Sequence, residues 1–265
     1  MHGPTESQGA SNEPAASRPA DAVMRPEASG SGEGAPLDER AVEVLSHELR
    51  SPITTIHLGA KVLRSSDVGE PVREAVIEAV DVEAFRLLRV VEDLLVVVRH
   101  DAGASALRVE PILVQRRLGD LVWSDEAGVS EVPVHYAIAP GLPAVMADEA
   151  ALGHAFRNLL SNAATHGAGA AATEVVIEVA EPWLEISVLD RGPGVDPAET
   201  ERLFLPFYRS PHAGGVTGAG LGLAAARRLV RAMGGDLVAA GREGGGSAFT
   251  IRLPIAEPDT MGAAD

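Results

Sequence analysis

His47 and Glu48 stand side by side in SHELRSP, residues 46 to 52, with Ser51 one helical turn after the histidine and Pro52 behind it. At helical spacing His47, Ser51 and Thr54 share one face. A neutral imidazole, with an ordinary pKa of about 6.5, offers a free ring nitrogen as nucleophile at neutral pH. A neighbouring carboxylate can orient the ring or take its proton. Pro52 has no amide hydrogen, so the helix loses its bond to the Glu48 carbonyl and yields around the histidine. A lone histidine of this kind is more often a plain surface residue. The second half of the chain shifts that balance.

There RNLLSNAATHG sets Asn158 and Asn162 four apart on one helical face. Amide oxygens suit Mg²⁺, which keeps several waters while holding substrate phosphates. In VLDRGPGVD an apolar run ends at Asp190, followed by Gly192 and Gly194. A carboxylate there can accept from an adenine amino group, and the glycines let a ring approach the backbone. LFLPFYRS places Phe204, Phe207 and Tyr208 together in a chain with only 3% aromatic residues, so their clustering is notable. TGAGLGLAAARRLV puts Gly218, Gly220, Leu221 and Gly222 at the start of a helix, where backbone amides favour phosphate. Its GxGxG spacing has no strand immediately before it, so it is not a dinucleotide fingerprint. Each segment alone also reads as ordinary structure, a polar helix face or a strand exit. Their order in one chain is the specific signal.

Those residues need elements to hold them. Leu45, Leu49, Ile53, Ile56, Ala60 and Leu63 recur at helical spacing, as do Val76, Val80, Ala84, Leu87, Val91, Leu94 and Val98. SSDVGEP between them supplies turn residues, so residues 37–103 form an antiparallel helical hairpin. One hairpin has little core, which predicts a dimeric four-helix bundle. Over 104–256, LRVEPILV and VPVHYAIA read as strands and a helix enters at Asp148. A β-hairpin turns at Glu181-Pro182, a second helix runs through GLAAARRLVRAM, and DLVAAG and SAFTIRLP close as strands. Mixed strands and helices predict an α/β sandwich, one layer of each. Residues 1–36 and 257–265 lack large apolar side chains and are expected to be disordered.

The net charge of −16 and pI near 4.9 argue against nucleic acid or an anionic membrane as the main partner. With no cysteine there is no disulfide framework or thiolate metal site. The longest apolar run, LLVVV at 94–98, is too short to span a bilayer, and no leader pattern opens the chain. A soluble, cytoplasmic protein is expected. Apart from His47 and His166, the histidines at 2, 57, 100, 135, 154 and 212 show no metal spacing and read as surface or packing residues.

SHELRSP, NLLSNAATH, DRGPGV, LFLPFYR and GAGLGL, in that order, resemble the H, N, G1, F and G2 boxes of the sensor histidine kinases of two-component signalling. The resemblance runs from about Leu37 to Ala256. It implies a dimerisation and histidine-phosphotransfer hairpin followed by a Bergerat-type ATP-binding domain. By the same resemblance His47 takes the γ-phosphoryl group of ATP and Glu48 is its general base. Asn158 and Asn162 hold Mg²⁺ or its waters, Asp190 reads adenine, and the 218–223 segment closes over the phosphates. His166, Gly192, Gly194, Phe204, Phe207 and Tyr208 complete the nucleotide site. The phosphoryl group then passes to an aspartate of a response regulator. Three positions depart from the pattern. Thr165 stands where the family has Lys or Arg, Ser51 where it has Thr or Asn, and Leu205 where it has an acidic or polar residue. No sensor, anchor or receiver segment is legible, so the signal is expected from a partner such as a separate sensor protein, from the disordered tail, or from a part outside this chain. The alternatives are a weak or inactive scaffold with this fold, a phosphatase-dominant regulator, and a gyrase- or chaperone-type ATPase. The last needs an acid where this chain has Asn158.

Overall fold

The computed structural model describes residues 39–65, 67–98, 107–116, 133–167, 172–211 and 218–257, which belong to one compact unit. The segments expected to be disordered, 1–36 and all but the first residue of 257–265, lie outside the described residues. Two long helices open the chain, α1 (Glu39–Leu63) and α2 (Glu70–Val98). Helix α1 runs without a break through Pro52, which is buried. Gly59 lets the two helices meet closely, since a Cβ there would lie 2.3 Å from a Val80 methyl.

The spacing placed Ile53, Ala60, Ala84, Val91 and Val98 inside. The structure corrects this, for all five are exposed, while Ala41, Leu45 and Glu48 are buried. Two helices bury only the seam between them, so the rest of an apolar face stays outside. That face carries Val62, Ile77, Val82, Leu88 and Leu95. Among the described residues, no helix is long and apolar enough to cross a membrane.

The α/β module is built on a five-stranded sheet of order β2-β4-β5-β7-β6. Its strands are β2 (Val134–Ile138), β4 (Thr173–Ala180), β5 (Trp183–Leu189), β6 (Asp236–Gly241) and β7 (Ser247–Pro254). β2 pairs with β4 in parallel and the other pairings are antiparallel. Alternation sets one apolar face: Val175 and Ile177 on β4, Leu184, Ile186 and Val188 on β5, Phe249, Ile251 and Leu253 on β7. Two helices cover it. They are α3 (Glu149–His166), which brings Leu152, Phe156, Leu159 and Leu160, and α4 (Gly222–Ala232), which brings Ala226 and Val230. Full burial of each large side chain contributes about 1.5–3 kcal/mol. Asp148 starts α3, its Oδ1 accepting from the Ala151 amide at 2.9 Å, while Oδ2 accepts from the Arg108 amide at 2.8 Å.

The expected β-hairpin, both helices and both closing strands are present. LRVEPILV, however, contributes only β1 (Glu110–Ile112), which pairs with the short β3 (Val145–Ala147) outside the main sheet. β3 had no sequence signal, because three residues are too few for a period to show.

The hairpin rests on the module. Leu45, Ala219 and Leu221 form a small buried cluster, with Val90, Leu94, Val97 and Phe207 packed against it. Arg228 of α4 donates to the carbonyl of Val97.

Candidate active site

A cleft of about 800 Å³ opens where the hairpin meets the module. One wall is helical hairpin: Glu48 from α1, and Phe85, Arg86, Arg89 and Asp93 from α2. The facing wall is α3, with Asn158, Ser161, Asn162, Thr165 and His166. The segment 218–222 and Tyr208 close the sides. The size suits a nucleotide-scale ligand.

α2 and α3 are joined at the edge of the cleft. Asp93, a buried carboxylate, lies 2.7 Å from His154 Nε2 and accepts from Asn158 Nδ2 at 2.8 Å through the same Oδ1. Asn158 Nδ2 also donates to the Gly222 carbonyl at 3.1 Å. Both partners only accept, so the NH₂ must face them, and Asn158 Oδ1 is left as the acceptor for a ligand.

Asp190 follows β5 and is buried. Its Oδ1 accepts from the amides of Gly192 at 2.7 Å and Ser247 at 3.1 Å. Gly192 is forced, since a Cβ there would lie 2.2 Å from the His166 carbonyl oxygen. Gly194, with φ of +85°, then turns the loop into the cleft wall beside Pro193. His166 has its pKa lowered by burial and by Arg209, against an upward pull from Asp190. It is therefore neutral at pH 7.

The aromatic segment divides. Phe204, in a 3₁₀ turn spanning Arg202–Phe204, is buried under the Arg227 guanidinium, 4.4 Å from the ring centroid. It supports the module core and does not line the cleft. Phe207 takes a φ of +63° and its amide donates to the Gly220 carbonyl at 2.9 Å, pinning the glycine segment. Tyr208 stands in the cleft wall, its hydroxyl donating to Glu199 Oε1 at 2.7 Å.

His47 projects from α1 with its side chain 78% exposed, and Ser51 and Thr54 are exposed on the same face, as the spacing predicted. Glu48 points the other way, into the cleft, where Oε2 accepts from Arg86 at 3.2 Å. Its Oε1 is 3.9 Å from His47 Nδ1. The carboxylate thus links the exposed imidazole to the cleft.

Residues 38–103 match the family model of the His Kinase A (phospho-acceptor) domain. Residues 147–257 match that of the histidine kinase-, DNA gyrase B-, and HSP90-like ATPase. The chain belongs to the sensor histidine kinases. It is 32% identical over 231 residues to the sensor histidine kinase MtrB of Mycobacterium leprae, covering 83% of this chain and 40% of MtrB. It is 28% identical over 229 residues to the adaptive-response sensory kinase SasA of Synechococcus sp. (strain CC9311), covering 82% of this chain and 57% of SasA. The chain therefore spans about half or less of the curated relatives it matches. Among solved structures, full-length ShkA in complex with AMPPNP superposes with a TM-score of 0.58 at 29% identity, over 82% of this chain and 46% of ShkA. Acinetobacter baumannii AdeS, at 20% identity and a TM-score of 0.56, shares the fold.

In this histidine kinase chain the cleft gathers Glu48, Asn158, Asn162, His166, Gly194, Tyr208, Gly218, Gly220, Leu221 and Gly222. His47, Ser51, Asp190, Gly192, Phe204 and Phe207 lie outside its wall, Asp190 and Gly192 through their contacts shaping it. Reasoning from sequence missed Asp93, His154, Arg86 and Arg89. His154 read as a packing residue. Its spacing of four from Asn158 was visible, but the carboxylate that joins the pair comes from a helix 61 residues away.

Proposed function

We propose that the chain is an ATP-dependent protein-histidine kinase that phosphorylates His47. The observation that carries this reading is the shared cleft: Glu48, next to His47, stands in one wall and the asparagine and glycine motifs in the others. In the reaction a ring nitrogen of His47 attacks the γ-phosphorus. The bond from that phosphorus to the β,γ-bridging oxygen breaks, ADP leaves with the electron pair, and the imidazole proton passes to Glu48. Transfer of this kind depends mainly on positioning and charge neutralisation. The exposed imidazole must approach the cleft before it can react.

The residues present fit Mg²⁺. Among the described residues no cluster of three His, Cys, Asp or Glu side chains exists to hold a metal by itself. Neutral amide oxygens of Asn158 and Asn162 remain, suited to a hard cation that takes its other ligands from phosphate and water. Bound Mg²⁺ supplies charge neutralisation at the phosphates. Asp190, held by two backbone amides, would accept from the adenine amino group.

The exposed apolar face of α1 and α2 supports a homodimer in which four helices close a common core. The phosphoryl group would then pass from exposed His47 to an aspartate of a response regulator. A cytoplasmic reaction fits the use of ATP as donor. The test is incubation with γ-labelled ATP and Mg²⁺, comparing the native chain with His47→Gln. Acid-labile, base-stable label lost in His47→Gln supports the reading. Absence of label in the native dimer, or label retained by His47→Gln, sinks it.

A further inference from the structure

We infer that Arg89 of α2 is the cation that meets the terminal phosphate of a nucleoside triphosphate in this cleft, an assignment that rests on the nucleotide reading above. A triphosphate brings several negative charges, and the α3 wall offers none to oppose them. Asn158, Ser161, Asn162 and Thr165 are neutral, and burial keeps His166 neutral as well. Countercharge must come from elsewhere in the wall.

Arg209 stands in the wall beside Tyr208, and the hairpin supplies two more cations, unevenly. Arg86 is held by Glu48 at 3.2 Å. Arg89, one turn along α2, lines the same cleft, is half-buried, and makes no hydrogen bond or ion pair among the described residues. Burial pushes its pKa below the usual arginine value while Asp93 pulls it upward, yet a guanidinium stays charged at any physiological pH. A charge taken partly out of water without a partner is costly, and an anion in the cleft relieves that cost. The fork of N–H donors matches phosphate oxygens two at a time.

Register puts the group in the right place. Asp93 touches Asn158 at 2.8 Å. One turn before Asp93 on α2 comes Arg89, and one turn after Asn158 on α3 comes Asn162, both in the cleft wall. Both groups thus line one cleft, each one turn from the Asp93–Asn158 contact, and the cation stands on the helix pair that carries His47. A triphosphate then bridges hairpin and module, whereas a diphosphate does not reach across. The site reads the third phosphate through the hairpin.

The experiment is calorimetric titration of the full chain and its Arg89→Gln variant with AMPPNP and with ADP, in Mg²⁺. Loss of one charge-assisted contact is expected to weaken AMPPNP by roughly tenfold and leave ADP within about twofold. Retained ADP binding doubles as evidence that the variant is folded. Arg89→Lys is expected to fall between the two. AMPPNP binding unchanged in Arg89→Gln, or AMPPNP and ADP weakened equally, overturns the assignment while the nucleotide reading survives. Failure of the native chain to bind either nucleotide overturns both.

Discussion

Asp93 Oδ1 lies 2.8 Å from Asn158 Nδ2, so a buried carboxylate of the hairpin fixes the amide orientation of an asparagine of α3. The same oxygen reaches His154 at 2.7 Å. One atom therefore ties the position of α2 to the ligand-facing group of α3.

Removing it frees both. Asp93→Ala takes the shared acceptor from half-buried His154 and from Asn158, whose amide keeps the Gly222 carbonyl alone, a loss of about 1.5–3 kcal/mol for hydrogen bonds to a charged group. Hydrogen exchange is expected to rise around 93–98 and 154–158 and the midpoint of thermal unfolding to fall. Asp93→Asn, which keeps an acceptor, is expected to lose less. Equal protection in Asp93→Ala and native chains would count against the link.

The glycines of 218–222 are not equivalent. Gly220 has φ of +66°, and a Cβ there would lie 2.7 Å from the Tyr208 carbonyl oxygen. Gly222 meets nothing closer than 3.5 Å among the described residues and starts a helix. Gly220→Ala is expected to cost about 1–3 kcal/mol in local strain and to weaken nucleotide binding, with Gly222→Ala close to native. Denaturant midpoints and nucleotide titrations of the two variants check this contrast.

Acid stability has a named source at the far end of α4. Burial alone would raise the Asp236 pKa, but hydrogen bonds from Arg231, Arg227 and the Leu237 amide outweigh it and bring it to about 2. A carboxylate depressed in the folded state stabilises fully above its unfolded pKa of about 3.9 and loses that contribution as pH falls through the folded value. The difference in unfolding midpoint between native and Asp236→Asn chains should be present at pH 6 and close between roughly pH 4 and 2. A difference independent of pH would rule this source out.

Self-association can be read from the hairpin face. Leu88, Val91 and Leu95 of α2 are 51%, 39% and 43% exposed and stand three and four residues apart, a continuous stripe. Leu88→Glu would place a charge in a buried seam, so sedimentation equilibrium should show a dimer for the native chain and a monomer for the variant. A native monomer would remove the bundle from the proposal.

The degree to which all this was legible follows the range of the interactions. β4 and β5, α3 with its Asp148 cap, and the exposure of His47 beside Ser51 are set by periods and caps within a few residues. The mixed pairing of β2 beside β4 and the short β1–β3 pair depend on contacts between distant segments, which no local pattern encodes. The same holds in the site. Asn158 and Asn162 announce themselves by spacing, whereas Asp93 and Arg89 sit in an ordinary amphipathic helix and acquire meaning only from what packs against it. Ile53 and Val91 misled for a related reason, since an apolar stripe says that a face will be covered and not which chain covers it. Phe204 carried the right residue type for stacking on a ligand and instead stacks under Arg227.

Leu45 packs with Ala219 and Leu221, two residues before His47 on the same helix. Two residues of an α-helix subtend about 200°, so Leu45 and His47 occupy nearly opposite sides of α1. Turning the imidazole toward the cleft must turn Leu45 away from the glycine segment. In the arrangement seen, α1 braces the segment beside the cleft with one side and carries its exposed histidine on the other. A reversible Leu45→Cys and Leu221→Cys crosslink should hold this arrangement, and labelling of the chain's own His47 should fall and return with reductant.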